Sequence, residues 1–163
     1  MKKILTLAVA FAFAITAASA QEVVNYTFED GTYNGWSVWQ KKENVIVGEK
    51  FAKDSKHALK AVTGTFFDLK GVKEKTTYIL TADTRGVQQG QEAGIVKVEY
   101  YDPTVKKLTI LKETPINGSM EYKKITMKFK TKVGGYHRVT FCPSSAGYSQ
   151  SIIDNVKIVK ADK

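Results

Sequence analysis

The sequence predicts an all-β fold, a two-sheet β-sandwich with jelly-roll topology. Three observations carry that prediction. Apolar and polar residues alternate over short stretches, as they do along strands with one face buried. Turn residues punctuate those stretches at regular intervals. No stretch sustains a helical period, and neither an internal repeat nor a long linker interrupts the pattern. About ten short strands in one chain bury their apolar faces most simply as two packed sheets with Greek-key connections.

The chain opens on a basic Met1-Lys2-Lys3, an uncharged apolar run from Ile4 to Ala18, and the small-residue stretch Ala18-Ser19-Ala20. This three-part pattern predicts a signal peptide over residues 1–20, with Gln21 as the mature N-terminus. The run falls short of the ~20 residues a spanning helix needs, so no membrane insertion is expected after cleavage. No cysteine follows it to carry a lipid. The expected location is secreted, periplasmic or at the cell surface.

Removing residues 1–20 from the 163 leaves 143, enough for one domain (21–163) with its own core. Lys2 and Lys3 depart with the signal, so the formal charge falls from +9 to +7. A basic exported domain can meet acidic glycans or anionic surfaces. Export argues against nucleic acid as the natural partner. The single cysteine, Cys142, excludes an internal disulfide and reads as a small buried residue near a strand end.

Val23 to Phe28 is the first predicted strand, with Val24, Tyr26 and Phe28 on one face, and Glu29-Asp30-Gly31 turns the chain. Trp36 caps one end of the core, ahead of Ser37-Val38-Trp39. Asn44 to Val47 is a short strand, 51–56 a polar loop, and His57 to Val62 a strand without an obvious inner face. Phe66, Phe67 and Leu69 precede the turn at 70–75. Thr77 to Arg85 follows, Tyr78, Leu80 and Ala82 on one side, Ile79, Thr81, Asp83 and Arg85 on the other. A glycine- and glutamine-rich loop, 86–94, leads to Ile95–Tyr101, where Val96, Val98 and Tyr100 oppose Lys97, Glu99 and Tyr101. Pro103 stops that strand. Leu108 to Leu111 is short, and 115–118 is a turn. Tyr122 to Lys130 has the sharpest alternation, Ile125, Met127 and Phe129 against a lysine stripe at 124, 128 and 130 that reads as a solvated face. After Gly134-Gly135, Tyr136 to Phe141 turns Val139 and Phe141 inward. The final strand, Ser151 to Val159, places Asp154 on the parity of Ile152, Val156 and Ile158, hence towards the core. A buried carboxylate there needs backbone N–H groups, a lysine or a metal as partner.

Several of these segments resemble carbohydrate-binding modules of families four, nine and twenty-two. Asn25-Tyr-Thr-Phe-Glu29 followed by Gly35-Trp36 resembles their opening. Tyr78 to Arg85 resembles their central strand, Ile95 to Asp102 the next, and Ile153-Asp154-Asn155-Val156 the closing one. The resemblance spans nearly the whole mature chain and implies a galactose-binding-like jelly roll. It also implies a structural calcium ion held between Glu29 and Asp154 with help from backbone carbonyls; calcium favours such oxygen ligands. Family members bind sugars on the concave sheet face.

The residues that parity and loop position place for such binding are Trp39, Lys97, Glu99, Tyr101, Tyr136, Arg138 and Tyr148. Flat aromatic rings bury area against a sugar at little conformational cost. Lys97 and Arg138 together point to an acidic or sulfated glycan, since arginine grips carboxylates bidentately. Catalysis finds little support. His57 and His137 lack metal-ligand spacing, and no nucleophile elbow or phosphate-cradling loop is present. A glycosidase needs two carboxylates across one cleft; Asp83 and Glu99 are both outward by parity, on strands that can belong to different sheets. The expectation is an exported, non-catalytic domain binding poly- or oligosaccharide. The alternative is a structural or adhesion module of the cell envelope that binds a protein partner.

Overall fold

The computed structural model describes residues 21–33, 35–39, 45–90, 93–142 and 150–162, apart from the side chains of Val45 and Cys142. Residues 1–20, where a signal peptide was expected, Asn44, Tyr148 and the environment of the Cys142 thiol lie outside that description. Eleven strands run through the described residues: β1 (Glu22–Tyr26), β2 (Ser37–Val38), β3 (Val45–Gly48), β4 (Ala58–Ala61), β5 (Thr65–Asp68), β6 (Thr77–Gly86), β7 (Ile95–Asp102), β8 (Lys107–Pro115), β9 (Lys123–Lys130), β10 (Tyr136–Cys142) and β11 (Ser151–Lys160). One sheet has the order β3-β4-β11-β6-β9, with β1 also paired to β11. The other has the order β2-β5-β10-β7-β8. All pairings are antiparallel. The two sheets form an all-β sandwich of the jelly-roll kind.

Alternation decides which residues meet between the sheets. Tyr78, Leu80 and Ala82 of β6, Met127 and Phe129 of β9, and Leu59 and Ala61 of β4 face Val96 and Val98 of β7, Val139 and Phe141 of β10, and Phe67 of β5. One end is closed by rings: Trp36 stands 4.7 Å from Phe67, 5.4 Å from Tyr26 and 5.5 Å from Phe141, centroid to centroid. Aromatic pairs at these spacings add to what burial alone contributes. Phe28 completes this cluster just beyond β1. Its φ of 59° is unusual for a bulky residue, and it is buried while its carbonyl accepts the N–H of Gly31 at 2.9 Å.

The last strand departs from the expected parity. Asp154 pairs with Asp83 and Lys157 with Thr81, so two residues of β11, Asn155 and Val156, stand against Ala82 alone. This bulge, with Asn155 at φ 50°, switches the faces of the strand. Val156 and Ile158 reach the core from one side of the bulge and Ile153 from the other. Ile152 points outward into a separate small cluster with Phe51 and Ala58, packed by Ala52, Val87 and Tyr122. Asp154 therefore points away from the main core, yet it is fully buried. The 53–57 loop covers it. Simple alternation fails here because one inserted residue inverts it.

β8 is longer than the four residues its apolar run suggests. As an edge strand paired only with β7, it needs no continuous apolar face. Its register slips once, between Val98 and Glu99.

The bulge gives a clean test. Replacing Asn155 by glycine or by valine removes the same side-chain bond to Asp83, but only valine resists a left-handed backbone. Asn155→Val should be less stable than Asn155→Gly by about 1–2 kcal/mol in urea denaturation.

Candidate functional site

The outer face of the five-stranded sheet carries a row of flat side chains that crosses four strands. Its origin is register. Tyr136 of β10 stands opposite Tyr101 of β7, Arg138 opposite both Glu99 of β7 and Asp68 of β5, and Phe66 of β5 opposite Ser37 of β2. Cross-strand neighbours on one face lie close enough for rings to touch. Tyr101 and Tyr136 stack with centroids 4.8 Å apart and planes 17° from parallel. The Arg138 guanidinium lies 5.5 Å from the Tyr136 ring and 3.8 Å from the Phe66 ring. Phe66 lies 6.2 Å from Trp39, which is 47 % exposed. Trp39 is seated by Gly64: its N–H donates to the Gly64 carbonyl at 2.9 Å, and a Cβ on Gly64 would sit 2.3 Å from the indole.

Tyr101 and Tyr136 lie against each other, so each covers part of the other's ring. Neither phenol hydroxyl, of Tyr101 or Tyr136, has a hydrogen-bond partner among the described residues. Each can both donate and accept. Arg138 is committed in the plane of the sheet: Nε and Nη2 donate to the two carboxylate oxygens of Asp68 at 2.7 and 3.3 Å. Beside it Glu99 is nearly buried and accepts the Thr140 hydroxyl at 2.5 Å. Leu108 and the half-exposed Ile110 of β8 stand opposite Tyr101 and Glu99.

Six of the seven residues expected at the site thus lie on this face: Trp39, Lys97, Glu99, Tyr101, Tyr136 and Arg138. Tyr148 falls outside the described residues. Phe66 and Asp68 were missed, although Phe66 and Asp68 alternate with Phe67 and Leu69. That alternation marks them as outward, but the pairing of β5 with β10 is not visible in sequence. The pairing also alters the role of Arg138, whose bidentate grip is already taken by Asp68. Asp83 and Glu99 lie on different sheets, Asp83 on β6 and Glu99 on β7, with outer faces on opposite sides of the sandwich.

Glu29 and Asp154 converge on one loop from two directions. β1 and β11 are antiparallel neighbours. The Glu29 carboxylate accepts the N–H groups of Lys56 at 3.0 and 3.1 Å and of His57 at 3.0 Å, and these bonds hold its pKa below the usual glutamate range. Asp154 accepts the Ser55 hydroxyl at 2.9 Å, the Asn155 N–H at 2.7 Å and the Lys53 N–H at 3.5 Å. Burial nevertheless pushes its pKa up. Lys53 Nζ lies 3.7 Å from Asp83. Calcium takes six to eight oxygens; the groups bonded to these two carboxylates are hydrogen-bond donors, while the Asp83 carboxylate stands opposite Asp154 with its Oδ1 buried and without a hydrogen bond among the described residues. No cluster of three or more His, Cys, Asp or Glu suited to a metal occurs among the described residues.

The fold has many counterparts among solved structures. The N-terminal CBM22-1–CBM22-2 tandem domain of Xyn10C from Paenibacillus barcinonensis superposes with a TM-score of 0.72 at 17 % identity, covering 92 % of this chain and 48 % of that one. This chain therefore spans about half of that tandem. The single CBM22-1 xylan-binding domain of the same protein gives 0.71 at 16 %, covering 88 % and 97 %. A family 16 carbohydrate-binding module gives 0.67 at 19 %, covering 84 % and 98 %. At such identities the likeness establishes the fold. No protein-family model matches the chain, and no curated protein does.

His137, next to Tyr136 and Arg138 but turned inward, offers a pH test. Its Nε2 accepts the Lys132 N–H at 2.9 Å. Burial holds its pKa below the ordinary value of 6.5. The folded chain then binds fewer protons here than the unfolded one, so this contribution to stability is complete above pH 6.5 and is lost as pH falls through the folded pKa. His137→Gln, which can still accept the Lys132 N–H, should flatten that part of the stability–pH curve below pH 6.5. An unchanged slope would show that His137 does not carry it.

Proposed function

We propose that this chain is an exported, non-catalytic glycan-binding domain that holds a poly- or oligosaccharide on the concave outer face of its five-stranded sheet. One observation carries the reading: the unbroken row Trp39, Phe66, Arg138, Tyr136 and Tyr101. Sugar rings have apolar faces and polar rims, and this row offers apolar ring area together with unbonded hydroxyls at its crest. Glu99 and Lys97 supply further polar groups beside it, and Tyr148 belongs to the proposed site from its place in the sequence. The likeness to a xylan-binding domain and to other carbohydrate-binding modules supports the same reading. The proposed ligand class is accordingly a xylan-like or related neutral polysaccharide backbone. A non-catalytic role is supported by the separation of Asp83 from Glu99, since glycoside hydrolysis needs two carboxylates across one cleft.

A glycan array on the exported chain tests this. Binding to one polysaccharide class is expected, and Tyr101→Ala or Arg138→Ala should weaken it by roughly tenfold or more with circular dichroism unchanged. Retained affinity in both variants would exclude this face. A blank array on folded protein would favour the adhesion alternative and a protein partner in the cell envelope.

For Glu29 and Asp154 we propose the role of clamps on the 53–57 loop. A structural calcium ion there would have to turn out the Lys56 and His57 N–H groups and recruit carbonyl oxygens instead. Melting in calcium and in chelator should give the same Tm. A Tm that rises with calcium would show that the ion replaces those donors.

A further inference from the structure

The row has a neighbour. At the Tyr136 end of β10 a pocket of about 180 Å3 opens between the turn after β5 and the turn before β10. Leu69 and Val72 make its apolar wall, Lys73, Glu74 and Lys132 its charged lining, and Tyr136 belongs to both the pocket and the row. At roughly 30 Å3 per water, it holds several waters and so has room for a substituent hanging from a chain laid on the row.

The charges in this pocket are unequal in their commitments. Glu74 Oε1 accepts the Gly134 N–H at 2.9 Å, which turns that carboxylate to the backbone. His137 spends Nε2 on the Lys132 N–H. Lys132 Nζ is held 5.3 Å from the centroid of the Tyr100 ring. Neither Lys73 nor Lys132 has a carboxylate within ion-pair distance among the described residues. Two lysines therefore line the pocket beside one carboxylate that is already bonded. On the row itself the single guanidinium is matched by Asp68 at 2.7 Å. Recognition of negative charge is absent where Arg138 suggested it and available one step along β10.

We propose that this pocket is a subsite for an anionic substituent, a uronic acid or sulfate ester, on a glycan whose neutral backbone lies on the row. The inference rests on the glycan-binding reading above and adds to it a preference among glycans. The neutral backbone packs on Tyr136 and Tyr101, and the anionic branch passes Tyr136 to meet Lys73 and Lys132.

The test compares a neutral xylo-oligosaccharide with the same chain carrying one glucuronic acid, by calorimetry on the exported chain at low and high salt. The acidic form should bind roughly three- to tenfold more tightly at low salt, and the advantage should shrink as salt screens it. Lys73→Gln with Lys132→Gln should abolish the advantage and leave the neutral affinity unchanged. Lys124→Gln with Lys128→Gln, an equal charge change on the other sheet, should leave the advantage intact. Equal wild-type affinity for the two forms overturns the subsite while the glycan-binding reading stands. A loss of preference in both double variants overturns it too, since long-range charge then suffices. Failure to bind either form removes the glycan-binding reading and the subsite together.

Discussion

The structure hangs on a strand with no free edge. β11 pairs with β6 on one side and, end to end, with β4 and β1 on the other. Both ends of the described chain are fixed by it, and the bulge at Asn155 lets it serve two apolar environments. Ile153, Val156 and Ile158 enter the main core, while Ile152 enters the small cluster beneath Phe51. Between them Asp154 is buried at the one place where a carboxylate can meet loop donors. An unpartnered charge there would be costly. Ser55 and the backbone of Lys53 and Asn155 meet that need, and Asn155 also ties in Asp83 through its amide at 3.1 Å. The bulge, the buried carboxylate and the 53–57 loop are joined through Asp154, which bonds both the bulge residue Asn155 and the loop residues Lys53 and Ser55.

β10 plays the corresponding part in the other sheet. It lies between β5 and β7, so its outward residues touch outward residues on both sides. Tyr136 finds Tyr101, and Arg138 finds Phe66 and Asp68. Stacking fixes the guanidinium plane, and the bidentate bond to Asp68 fixes its rotation within that plane. Arginine suits this position for that reason, since a lysine would supply a point charge without the plane. Arg138 organises the face more than it advertises a charge on it.

Much of this was legible in the sequence. Alternation alone placed Tyr78, Leu80, Val96, Val98, Met127, Phe129, Val139 and Phe141 inside, and put Lys97, Glu99, Tyr101, Tyr136 and Arg138 outside. Two kinds of information were not legible. Alternation assumes constant period, so the residue inserted at Asn155 reversed the reading of Ile152 and Asp154. Alternation also says which face a residue occupies and not which strand lies alongside. Phe66 and Asp68 were outward by the same rule as Arg138, but their partnership depends on β5 pairing with β10 across some seventy residues. The bidentate acid grip expected of Arg138 failed for that reason: its partner was already in the chain.

The arrangement of charge on the row suits the ligand proposed for it. A sugar covering the row strips water from whatever lies beneath it, and a lone charge resists that removal more than a paired one. Arg138 is paired with Asp68, and Glu99 is already nearly buried against Thr140, so little of their hydration remains to be lost. A further group of lysines lies on the other sheet. Lys124, Lys128 and Lys130 project from β9 and Lys157 from β11, all exposed on the six-stranded sheet. There they stay exposed, and those on β9 guard an edge strand against pairing with another chain. The paired charges of the row suit a face that would be covered by a polymer, as proposed, whereas the solvated lysines of β9 suit a face that stays wet.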